Sequence, residues 1–120
     1  MLLIDNDIVY LTKGDDAEIE VNIRDGDGND YEMQDGDTLT LTVRELPDFS
    51  SNVVFAITST TNRIPISHAD TDNADVGRYS MDIELITSGL HRTIFPTLEK
   101  DARARVKNFR NFVIMPEVTV

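Results

Sequence analysis

Apolar and polar residues alternate with a period of two along most of the chain. In "DAEIEVNIR" the residues Ala17, Ile19, Val21 and Ile23 fall on one side, with Glu18, Glu20 and Asn22 on the other. "DTLTLTVRE" sets Leu39, Leu41 and Val43 against Thr40, Thr42 and Arg44. "GRYSMDIEL" sets Tyr79, Met81, Ile83 and Leu85 against Arg78, Ser80, Asp82 and Glu84. Successive side chains of a strand point to opposite faces, so this pattern predicts strands with one buried and one wetted face, the habit of antiparallel sheets. Shorter strands are expected at Ile8–Leu11, Tyr31–Met33, Val53–Ile57, Arg63–Ile66, Leu90–Phe95 and Phe109–Met115. Gly, Asp, Asn and Pro clusters separate these runs, as in an all-β sandwich or barrel. "TLEKDARARVKN", residues 97–108, is the one helical-looking stretch. It lacks an apolar stripe, which predicts a short surface helix or a long loop.

A chain of 120 residues is expected to form one domain, residues 1–120, around a single core. The absence of cysteine excludes disulfides and thiolate metal sites. No apolar run approaches transmembrane length, and "MLLIDNDIVYL" carries acids where a secretory signal would be basic, so synthesis in the cytoplasm without membrane association is expected. The net charge of −11 argues against nucleic acid as a partner. That charge is unevenly spread. Residues 1–90 carry 5 basic and 19 acidic side chains, whereas residues 91–112 carry 6 basic and 2 acidic ones. An acidic body with a basic late segment suits head-to-tail pairing of copies or docking to a partner, with Arg92, Lys100, Arg103, Arg105, Lys107 and Arg110 as candidate interface residues. A solvated loop of mixed charge accounts for the same residues.

The acidic stretch "RDGDGNDYEMQDGDTLTLTV" (24–43) raises the question of calcium. An EF-hand loop starting at Asp25 places Asp27 and Asn29 at ligand positions, but Asp30 stands where glycine is required and Gly36 where glutamate is required. A looser oxygen cage of Asp25, Asp27, Asn29 and Asp30, converging with Asp35 or Asp37, is the remaining metal candidate. Asp-Gly and Gly-Asn are also the turn chemistry of hairpins, which is the simpler reading. Ser67, His68 and Asp70 have the composition of a triad, yet sequence neighbours alternate faces, and "SHADTDNAD" reads as a capped turn or single helical turn. His68 and His91, the two histidines, lack metal-ligand spacing. No catalytic residue is assigned and no cofactor is expected apart from the calcium candidate.

A resemblance follows from the order of these features. Gly14-Asp15 leads into a strand, "DGDGNDYEMQDGDTLTLTV" reads as a hairpin and strand, and Ile64-x-Ile66 precedes the Asp70-Thr71 turn. Gly77-x-Tyr79 then opens "YSMDIEL", and the chain closes on "FVIMPEVTV". This order is similar to that of the small β-sandwich domains of phages and prophages of Gram-positive bacteria. In particular, it resembles the N-terminal domain of siphophage baseplate upper proteins. The resemblance covers most of the chain; the basic stretch 97–108 departs from it, standing where a tight hairpin is expected. It implies an immunoglobulin-like antiparallel sandwich of about 7–9 strands. It also implies a non-enzymatic tail or baseplate protein of the virion, homo-oligomeric and in contact with other tail proteins. Because the sequence ends soon after the last strand, a stand-alone protein is the expectation. The alternative is a calcium- or glycan-binding sandwich module of a bacterial surface protein, motivated by the acids between Asp25 and Asp37.

Overall fold

The computed structural model describes residues 2–5, 8–24, 27–45, 52–95 and 111–116. The expected helix or loop at 97–108 lies outside them. The described residues form an all-β fold with one short helix. In chain order the strands are β1 (Leu2–Asp5), β2 (Ile8–Thr12), β3 (Ala17–Glu20), β4 (Thr38–Arg44), β5 (Val53–Ser59) and β6 (Arg63–Ile66). Helix α1 (His68–Asp72) follows, then β7 (Gly77–Thr87), β8 (Leu90–Phe95) and β9 (Phe112–Met115). Each of the three alternating runs became a strand, and Leu39, Leu41, Val43, Met81, Ile83 and Leu85 are buried as their phase requires. The burial alternation from Ala17 continues through Ile23, but the ladder ends at Glu20 because its partner β6 has only four residues.

The main sheet has the order β1-β2-β9-β7-β4-β5, and β3 pairs antiparallel with β6 in a separate ladder. One expectation is corrected here. The fold is not wholly antiparallel, since β2 runs parallel to β9, with Val9 opposite Phe112 and Thr12 opposite Met115. Strand β9 is flanked by two strands of opposite direction, β2 and β7, so it can be antiparallel to only one of them. A second correction concerns Tyr31–Met33, which is not a strand. The chain there is held by a Tyr31 N–H bond to the Ile23 carbonyl and by an isolated bridge between Arg24 and Asp30.

Strand β7 organises the sheet. Along one edge it pairs with β4 from Ser80 to Ile86. Along the other it pairs first with β9, at Gly77–Tyr79, and then with β8, at Ile83–Thr87. Strands β8 and β9 are therefore two pieces of one edge. The partner numbers add to 178 at Ile83–Phe95 and to 191 at Tyr79–Phe112, so 13 extra residues interrupt that edge. Asn111 bridges the break. Its amide Nδ2 donates to the Met81 carbonyl (2.8 Å), and its Oδ1 accepts the Met81 N–H (2.6 Å). A side chain thus does the work of the missing peptide group. The Asn111 carbonyl also accepts the Val9 N–H at 2.8 Å, tying in β2.

One core joins the two sheets. Ile19, Ile64 and Ile66 from the β3–β6 ladder belong to the same buried cluster as Leu41, Ile83 and Phe112 of the main sheet. Phe55 meets Phe112 edge to face with ring centroids 5.9 Å apart, a favoured aromatic geometry. Asp70 caps α1 by accepting the Ser67 N–H at 2.8 Å, so "SHADTDNAD" is the capped helical turn the sequence predicts.

Candidate interaction surfaces

The acidic hairpin holds three of the four calcium candidates; Asp25 lies outside the described residues. Asp27, Asn29 and Asp30 are exposed. The Asp30 carboxylate lies 3.4 Å from the Arg24 guanidinium, which also donates to the Gly28 carbonyl at 3.2 Å. Among the described residues no group of three or more His, Asp or Glu is placed to hold a metal ion. The acid that matters locally is Asp37, which is buried at 4% exposure. Its Oδ2 accepts the Tyr31 hydroxyl at 2.5 Å and the Gln34 N–H at 2.9 Å. The Tyr31 hydroxyl, the Gln34 N–H and Thr87 together hold the carboxyl below its ordinary pKa, because each bond favours the charged form. Asp37 closes the hairpin against the start of β4. Its bonds fit the turn reading of this stretch.

A second group of polar residues is assembled from two distant turns. Gly14 carries a φ of +81° in the turn after β2, and its N–H donates to the buried Thr71 hydroxyl at 2.8 Å. A Cβ there would sit 3.2 Å from an Asp72 oxygen, so space as well as backbone favours glycine. Next to it, Asp16 accepts the His68 N–H at 2.6 Å and lies 3.2 Å from its Nδ1. The carboxylate beside His68 is therefore Asp16, while Asp70, the acid adjacent in sequence, is spent on the helix cap. The His68 bonds lower the pKa of Asp16.

Beside this pair the two sheets part and leave an open groove of about 560 Å³. Ala17, Ala56, Ile57, Pro65 and Ile66 line it together with the polar Asp16, Thr58, Ser67 and Asp70. Among the described residues, strand β5 pairs only with β4, and β6 only with β3. Pro65 sits in β6 opposite Glu18 without breaking the ladder, so the edge it strips of a donor is the open one. The edge of β5 has no such guard at Ala56–Thr58.

The remaining strand edges differ in character. Strand β1 is an outer strand whose Leu3 and Ile4 are 52% and 51% exposed. On the far side of β7, β8 exposes Leu90 and carries Arg92, also exposed. His91 on the same strand bonds Glu84 at 2.7 Å. Lys100, Arg103, Arg105, Lys107 and Arg110, the other candidate interface residues, lie outside the described residues. Pro65 and Pro116 are exposed.

Comparison of the chain with protein-family models, with curated proteins and with solved structures returned no significant match. Two residues of structural weight carried no signal in the sequence. Asp16 meets His68 across 52 positions, and Asn111 meets Met81 across 30.

Proposed function

We propose that this chain is a non-enzymatic structural component of a phage or prophage virion, a tail or baseplate part that works by self-association and docking to other tail proteins. The observation that carries the reading is the set of strand edges left unpaired among the described residues. Strand β1 exposes two large apolar side chains on an outer strand and carries neither the Pro nor the Lys that usually protects such an edge. An edge left in this state suits assembly by strand addition.

An immunoglobulin-like sandwich is the finer fold we infer. It is supported by the order β9-β7-β4-β5 in the main sheet, by the separate β3–β6 ladder, and by the core that both sheets share.

Light scattering across a concentration and salt series tests self-association. Oligomers at low salt that weaken as salt rises are expected, because exposed charge contacts are screened. A particle that stays monomeric at high concentration and low salt would overturn it. Mass spectrometry of purified particles from a strain encoding the chain tests the virion assignment, and particles lacking the chain would refute it.

A further inference from the structure

We propose that two copies of this chain pack face to face through the outer surface of β1, β2 and β9, an apolar contact that closes a two-fold pair. It goes beyond the association proposed above, which strand edges and charge carry, and it answers differently to salt. A change of pattern within one sheet carries it. On the side away from the core, β4 presents Thr38, Thr40 and Thr42, and β7 presents Arg78, Asp82 and Glu84. In β2 and β9 the buried residues are Val9, Leu11, Phe112 and Ile114, so the residues between them belong to the outer side. There stand Ile8, Tyr10, Val113 and Met115, with Thr12 beside Met115 and Leu3 of β1 opposite Tyr10. Strands that are apolar on both sides are the ones proteins bury on both sides, and "IVYL" and "FVIM" are such runs. Among the described residues the β3–β6 ladder shares the core of the inner side, and no second layer covers the outer one. Leu3 is 52% exposed, and the other four are partly exposed. An uncovered apolar patch of this kind marks an interaction site.

Charge and shape make the occupant a second copy. The net charge of −11 sets copies against each other over most of their surface. On this patch they meet with least repulsion, because by register its charged positions are marginal: Asp5 ends β1, and Arg78 lies opposite Val113. A sheet face is also a fitting partner for an identical one, since two sheets pack about 10 Å apart as the layers of a sandwich do. Three strands of about five residues make a patch of roughly 14 Å by 16 Å. A pair built on it buries less than the roughly 1,200 Å² at the lower end of standard interfaces, so a reversible dimer is expected. The same surface is used on both copies, and the assembly therefore stops at two.

Analytical ultracentrifugation of the whole chain at about 1 M sodium chloride, where the Debye length is about 3 Å, tests the contact with charge attractions screened. A monomer–dimer equilibrium tighter than at low salt is expected, because salt also screens the repulsion between two acidic copies. Leu3→Lys and Tyr10→Lys put like charges into the contact and should each weaken the dimer at least about tenfold, with circular dichroism unchanged. Thr42→Lys, on the polar half of the same face, should leave it as it is. The chain has no cysteine, so Val113→Cys supplies a second readout. Its thiol should react with a maleimide several-fold more slowly above the dissociation constant than below it, while Thr42→Cys reacts at one rate throughout. A dimer that both lysine variants leave intact overturns the proposal and retains self-association. A monomer whose Val113→Cys thiol is slow at every concentration covers its own face, and one whose thiol is always fast keeps the face for a different protein; either overturns the proposal. Association confined to low salt overturns it and leaves the reading above in place. A chain monomeric at low salt and dimeric at high salt supports it and overturns the association proposed above.

Discussion

Asn111 shows how much one side chain carries where the ladder is interrupted. Both of its amide groups are buried and bonded to the backbone of Met81. Asn111→Ala leaves a buried N–H and a buried carbonyl without partners, and each such group costs about 1–3 kcal/mol. A loss of roughly 2–4 kcal/mol in urea denaturation is expected; a variant as stable as the parent would show that water or backbone movement replaces the amide. Asp37 makes a different prediction, about pH. Its folded-state pKa is depressed below 3.8, first by the Tyr31 hydroxyl and then by the Gln34 N–H. A depressed carboxyl contributes stability above its unfolded pKa and loses it as pH falls through the folded value. Asp37→Asn should therefore lower the melting temperature at pH 7, with the gap to the parent closing below about pH 4. A gap that is constant with pH would mean that the carboxylate charge plays no part.

At the scale of elements, β8 and β9 behave as one broken strand. Deleting residues 97–109 removes the 13 residues that separate their registers and leaves Phe95-Pro96-Arg110-Asn111 joining the two pieces. Every other ladder is untouched, so the shortened chain should fold with the β-rich circular dichroism of the parent. Shortening the connection between Phe95 and Asn111 from about 15 residues to about 2 gains at most about 2 kcal/mol of closure entropy, so unchanged or slightly higher stability is expected. A deletion variant that cannot fold would show that the excised segment is part of the domain's own core.

For the whole molecule, the shared core predicts cooperativity. The β3–β6 ladder of four residues per strand is too small to be stable alone, and its Ile19, Ile64 and Ile66 are buried in the same cluster as the main sheet. Ile64→Ala in the ladder and Ile83→Ala in the main sheet should each cost roughly 2–5 kcal/mol, and both should shift a single unfolding transition. Separate transitions for the two variants would mean that the ladder melts independently. The net charge of −11 opposes non-specific clustering of copies.

The sequence by itself determined the strands whose alternation is strongest. Leu39, Leu41, Val43, Met81, Ile83 and Leu85 are buried in the predicted phase because a period of two leaves only one way to bury an apolar set. It also determined the capped turn at Ser67 and excluded an EF-hand, since both depend on residues within a few positions of each other. The tertiary structure alone decided the parallel pairing of β2 with β9, the break in the edge of β7 and the Asn111 bridge across it. It decided as well that His68 meets Asp16, and that β5 and β6 part to leave a groove. Those outcomes join residues tens of positions apart. Local pattern records which face of a strand is buried, but not which strand will lie beside it.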